Sequence, residues 1–215
     1  MRMRALLSAL LLAGLLASAA QAQIRPVRPS DAALLNRAPT YAEQIAAQVA
    51  DRLTHLQVKV RCAPLGIPGL PSSILGVTLF LGTHPAGYFL MVPQMCADLE
   101  AFHNAPASFD PRACADSACL NTDANVAMAL ATVSHESYHL LGYTNEAQVE
   151  CYGMQSIWYV ASKLGASLDE AEAIGTFYAT EIYPQRRTQT PAYWTPECRD
   201  GGKYDLRPQS HSWPN

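Results

Sequence analysis

Residues 121–155 read NTDANVAMALATVSHESYHLLGYTNEAQVECYGMQ, and the rest of the chain is organised around them. They contain His135-Glu136-Ser137-Tyr138-His139, an H-E-x-x-H pentad within a segment of helical period. Residues four apart on a helix are stacked neighbours, so the two imidazoles share one face. Such a pair can hold a zinc ion, and the glutamate beside the first histidine can act as base towards a zinc-activated water. Leu130, Val133, Leu140 and Leu141 supply the apolar packing that puts the pentad in a helix and not in a loop.

That helix is predicted from about Thr122 to Leu141, capped by Thr122 or Asp123 and stopped at Gly142. A second runs from Thr144 or Asn145 to Lys163 and ends at Gly165. The tight turn between them makes an αα-hairpin, so the two helices run antiparallel. With the turn centred near residue 143, His139 faces position 146 or 147 and His135 faces position 150. Glu146 then completes a metal set with His135 and His139. Glu150 falls opposite His135, where its carboxylate can accept the ring's other N–H and fix the tautomer. The swapped arrangement, with Glu150 ligating and Glu146 supporting, competes with this one.

The first 22 residues read as a leader to be removed. Arg2 and Arg4 precede an apolar run from Ala5 to Ala17, and Ala20-Gln21-Ala22 is a small-x-small cleavage site. The run is too short to span a bilayer, so a chain from Gln23, exported to the periplasm or medium and not held in the membrane, is expected. With Arg2 and Arg4 removed, 15 basic residues become 13 against 18 acidic, a net charge of −5. No Lys/Arg run exists, which argues against nucleic acid and anionic membrane as partners. All six cysteines follow the leader, and an even count in an exported chain reads as three disulfides. The favoured pairing is Cys62–Cys96, Cys114–Cys119 and Cys151–Cys198, the last tying the C-terminal tail to the helix of Glu146 and Glu150.

The remaining segments make one domain over residues 40–185, between a linker or extended arm (23–39) and an irregular C-terminal tail (186–215). Tyr41, Ile45, Val49, Leu53 and Leu56 form the apolar stripe of a helix capped by Thr40, with Glu43, Gln44, Gln48 and Arg52 on its polar face. Val58 to Arg61 is a short strand. Residues 74–82 and 88–92 are apolar β-rich runs around turn residues 83–87, a hairpin in a small antiparallel sheet. Pro93 opens a short helix. Ser167 begins a third late helix with a capping-box pattern, ending near Tyr183 before Pro184. The expected class is α+β, a small antiparallel sheet or hairpin on a helical core, stapled by disulfides.

H-E-x-x-H followed by Asn145-Glu146 and an acid at 150 resembles the gluzincin metallopeptidases, the thermolysin-like group, over residues 135 to about 155. The family carries its third ligand in an N-E-x-x-S-D element. Here Val149 stands for the serine and Glu150 for the aspartate, and the step from His139 to Glu146 is much shorter. That short spacing is also similar to small secreted bacterial proteins with a compact HExxH–Glu core. The resemblance implies a minimal zincin-like domain, Zn2+ on His135, His139 and Glu146, Glu136 as general base, Glu150 supporting, and a peptide or protein substrate cleaved by zinc-activated water. A donor to the oxyanion is then needed, from among Tyr143, Tyr152, Tyr178, Tyr183 and His211. By the same resemblance, the hairpin at 74–92 would lend an edge to an extended peptide. The alternative is a zinc-binding chain of the same fold without catalysis, acting as a binding or structural module.

Overall fold

The structure, a computed structural model, describes residues 24–65, 74–210 and 212–214; the expected leader over 1–22 and His211 lie outside the described residues. The segment read as an arm carries β1 (Ile24–Pro26) and α1 (Asp31–Asn36). Both are too short to show a period. A buried Arg25–Asp31 pair with two contacts of 2.7 and 2.9 Å bridges them, and Leu35 joins the core.

Thr40 caps α2 (Tyr41–Thr54) in a complete capping box with Glu43. Glu43 was expected on the solvated face, but it is fully buried. Its carboxylate accepts from Arg37 and from the backbone N–H of Cys62 at 2.7 Å, holding β2 (Lys59–Cys62) against the helix start. Tyr41, expected on the apolar stripe, is exposed instead.

The hairpin joins β3 (Gly76–Leu81) to β4 (His84–Met91), so the turn is Gly82-Thr83 and not residues 83–87. Gly82 has φ +62°, a left-handed conformation that glycine adopts without Cβ strain. The sheet order is β1-β3-β4-β2, and only β3–β4 is antiparallel; β1–β3 and β2–β4 are parallel. The expected antiparallel sheet is therefore a mixed one. Strand periodicity reports which face is buried, not which neighbour pairs. Both hairpin strands are interior, so neither offers the free edge that an added peptide would need.

Alternate side chains of the strands serve two cores. Phe89 and Met91 join α2 and the helices that follow, while Val77, Leu79 and Leu90 pack with Leu35 and Tyr193 on the other face. Pro93 opens α3 (Pro93–Asn104), which Cys62–Cys96 ties to the end of β2. The long helix α4 (Ser117–Leu140) begins earlier than predicted, because Asp116 and not Thr122 or Asp123 is its cap, accepting from the Cys119 N–H at 2.9 Å. Its middle passes through the main core on Val126, Leu130 and Val133.

After the turn at Gly142 comes α5 (Glu146–Gln155), capped by Asn145. The predicted second helix is broken at Ser156, whose hydroxyl pairs with Tyr138 at 2.8 Å, and continues as α6 (Ile157–Lys163). The Ser167–Glu170 capping box starts α7 (Leu168–Phe177) as expected. Instead of stopping at Pro184, the chain makes a π-helical turn, Tyr178–Ile182, and proceeds as α8 (Tyr183–Gln189). Pro184 has no N–H for the usual i→i−4 bond, and the wider turn, with Tyr183 N–H on the Tyr178 carbonyl, leads into it. A 3₁₀ turn, Pro191–Tyr193, follows. The three disulfides have the expected pairing. No helix among the described residues is long and apolar enough to cross a membrane.

Candidate metal centre

The last turns of α4 and the first turns of α5 face one another, as antiparallel neighbours across a five-residue connection (141–145) do. Gly153 lets them approach closely; a Cβ there would sit 3.1 Å from the His135 backbone nitrogen. His135, His139, Glu146 and Glu150 are brought together in this seam, all buried.

His139 Nδ1 lies 2.7 Å from the Tyr143 carbonyl oxygen, an atom that can only accept, so Nδ1 carries the hydrogen. His135 Nδ1 lies 2.9 Å from Glu150 Oε2, which requires a hydrogen there as well. In neutral rings both remaining lone pairs are then on Nε2. Those two nitrogens are 3.0 Å apart, and Glu146 Oε2 is 3.2 Å from one and 3.4 Å from the other. With both rings neutral, three acceptors converge with no donor between them, and a buried set of that kind calls for positive charge, from a metal ion or from a proton on one imidazole. Zn–N bonds of about 2.0–2.1 Å in a tetrahedron put ligand atoms roughly 3.3 Å apart, close to the spacing of these three.

Electrostatics point the same way. Burial works to lower the His135 pKa, but the carboxylates of Glu146 and Glu150 overcome it and push the group up to about 10. Burial would raise both acids; hydrogen bonds from the imidazoles hold Glu146 down to about 2, and the Arg186 charge with His135 does so for Glu150. The pocket therefore draws positive charge. Three buried acids (Glu136, Glu146, Glu150) stand at this centre, and the Arg186 guanidinium pairs with Glu150 alone among them.

Glu136, the next residue along α4, turns its carboxylate towards the sheet while lining the same cavity as His135. Thr78 of β3 donates to its Oε2 at 2.7 Å, while Oε1 is buried without a partner. Burial is the main cause of its pKa rising to about 7. Gly76 makes room for it: a Cβ there would stand 2.6 Å from Glu136 Oε1. Glu136, His135, Gly76, Thr190, Tyr193 and Arg186 line a cavity of about 20 Å³, room for one water.

No protein-family model matches this sequence, and neither a curated protein nor a solved structure matches it. The reading of the centre therefore rests on its own geometry.

Of the tyrosines weighed as oxyanion donors, Tyr178 lines the cavity together with Glu136 and His135. Tyr178 donates to Glu150 Oε1 at 2.6 Å, Tyr183 pairs with the backbone of Thr195, and Tyr143 and Tyr152 stack against each other. Tyr193, which sequence reasoning passed over, lies with its ring 5.8 Å from His135 and covers the cavity. Arg186 was also missed; its Nε donates to Glu150 Oε1 at 3.1 Å and its Nη2 to the Tyr178 hydroxyl at 3.2 Å. Both stand in or beside a tail with no periodicity. The available signal was Pro184, since a proline inside a helical run announces a bulge that re-aims the residues around it. In a straight helix, position 186 would sit about 80° round from 178. The extra residue of the π turn brings the two side chains onto one face.

Proposed function

We propose that the protein is an exported zinc-dependent peptidase, with His135, His139 and Glu146 as ligands and Glu136 as general base. The observation that carries this reading is the convergence of both Nε2 atoms and Glu146 Oε2 within 3.4 Å, with each Nδ1 already committed. Zinc in such a set polarises a peptide carbonyl and acidifies water. The protein's own groups do the rest. Glu150 and the Tyr143 carbonyl hold the two imidazoles in the tautomer that turns Nε2 inward. Thr78 seats one oxygen of Glu136 and leaves the other unpartnered in the cavity, free to take a proton from the attacking water and return it to the leaving amine. The resemblance of residues 135–155 to gluzincins supports the peptide substrate. The leader-like N-terminus and the disulfides support export.

One observation favours the second reading, a zinc-binding module without catalysis. His135 is 3% and His139 0% exposed, and the cavity admits only about one water, so a peptide enters only if the Thr190–Tyr193 segment moves aside. Metal analysis of the purified protein, with Glu136→Gln compared on a mixed peptide library, separates the two. One zinc per chain with cleavage lost in Glu136→Gln supports the peptidase. Zinc without cleavage in either protein supports the module, and failure to retain metal after zinc loading overturns both.

A further inference from the structure

The N-terminal part of α4 holds a buried acid for which the metal centre has no use. Asp123 is 2% exposed, and its Oδ2 lies 3.3 Å from Sγ of Cys114. That sulfur is bonded to Cys119 and has no hydrogen to give while the disulfide stands. No other hydrogen bond reaches this carboxyl among the described residues. Burial first, and then the charge of Asp110, raises its pKa to about 6. In the oxidised state this carboxyl therefore has the disulfide sulfur as its neighbour and no hydrogen-bond donor.

The disulfide beside it is also the one the fold depends on least. It closes a sequence separation of 5, against 34 and 47 for the others. On the chain-entropy relation, the shortest loop contributes the least to stability. Its neighbours Ala113, Ala115, Asp116, Ser117 and Ala118 are all exposed, so an external sulfur can approach. Cys119 lies in the first turn of α4.

The geometry points to a thiol–disulfide exchange site at Cys114–Cys119, reduced by a dithiol, with Asp123 as the proton donor. One thiolate of the dithiol attacks Cys119 Sγ and forms a mixed disulfide. The Cys114–Cys119 bond breaks, its electron pair leaves on Cys114 Sγ, and that sulfur takes the proton of the Asp123 carboxyl. The second thiolate of the reductant attacks its partner sulfur in the mixed disulfide and releases Cys119 as thiolate, which solvent protonates. Two electrons pass to the cysteine pair, and the dithiol leaves as a disulfide. In the reduced form the Cys114 thiol donates to the Asp123 carboxylate, and the acid gains the partner it lacks in the oxidised chain.

The test uses the folded full chain and dithiothreitol, with alkylation and peptide mapping at intervals. Cys114 and Cys119 should be labelled first, about tenfold or more faster than the other four cysteines, while circular dichroism stays unchanged. Asp123→Asn should slow that reduction about tenfold, the loss of a positioned acid. Opening of all three disulfides together with unfolding overturns the proposal, and so does Asp123→Asn reduced as fast as wild type. A reduced-minus-oxidised infrared spectrum of the wild type at about pH 5 reads the same transfer without a substitution. Loss of a protonated-carboxyl band supports it, and an unchanged carboxyl region overturns it.

Discussion

Buried acids stand at both ends of helix α4, and the two ends treat them in opposite ways. Beside its C-terminus, Glu146 and Glu150 of α5 are nearly as buried as Asp123 towards its N-terminus, yet the first pair is held ionised while the second acid is protonated more readily than in water. The difference lies in what surrounds them. Glu150 alone has His135, Tyr178 and Arg186 within hydrogen-bond reach, while Asp123 has a disulfide sulfur. Burial sets the size of an electrostatic effect, and the nearby donors set its sign.

The sharpest way to break this contrast is to make Glu150 resemble Asp123. Arg186→Met removes the guanidinium beside it and leaves a buried carboxylate short of one charge-assisted bond. Breaking a buried pair in this way costs about 3–5 kcal/mol, and chemical denaturation of the metal-free protein should read a loss of that order. Arg186→Lys should recover only part of it, because an ammonium cannot reach Glu150 and Tyr178 in the same forked geometry.

A smaller effect should appear in metal retention. Glu150→Gln keeps the shape but weakens the hold on His135 Nδ1, and a 10–100-fold loss of zinc affinity is expected, about the usual effect of such outer partners. Glu146→Ala should cost more, because it deletes one of the three converging atoms. Competition with a fluorescent chelator measures both. A larger loss in the Glu150 variant would exchange the two roles.

Next comes the seat of Glu136. Gly76→Ala places a methyl group 2.6 Å from Glu136 Oε1 and 2.8 Å from Thr132 Cγ2. Overpacking of this kind costs about 1–3 kcal/mol, and a thermal melt should fall accordingly. An unchanged melt would mean that Glu136 swings away freely and is not seated by β3.

Much of the C-terminal end of α4 was legible in the sequence because helical spacing is local. The pentad, Gly142 and the positions of Glu146 and Glu150 follow from one period and one turn. What was illegible came from distant chain. Thr78 and Gly76 arrive from β3, and Tyr193 and Arg186 from segments that carry no period of their own. Glu43 looked like an ordinary polar-face residue, since nothing local announces that Cys62 will bring a backbone donor to it. The mixed sheet escaped for the same reason: strand pattern does not name the neighbour. The early start of α4 is the instructive miss. Asp116 was a fair cap by type, but the Cys114–Cys119 loop around it disguised the helix and left Asp123 looking like a cap residue when it is a buried acid.

The N-terminal end supplies the smallest and most discriminating prediction, set against a second Asp of opposite character. Asp31 is held below its usual pKa by the Arg25 guanidinium, so its contribution to stability is present above the unfolded value of 3.8 and lost as pH falls through the folded one. Asp123 has the reverse sign. Its folded pKa of about 6 exceeds the unfolded 3.8, so the folded state binds the proton more tightly and stability falls as pH rises between those values. Asp31→Asn should therefore destabilise the protein at neutral pH and have little effect in strong acid. Asp123→Asn, with the disulfide oxidised, should stabilise it by about 1–2 kcal/mol at neutral pH, on the scale of an unsatisfied buried group, and by much less below the unfolded value. Urea titrations of both variants across this range read the two slopes. If Asp123→Asn destabilises at neutral pH, the carboxylate has a donor in solution, and the contrast between the two ends of α4 fails where it is most specific.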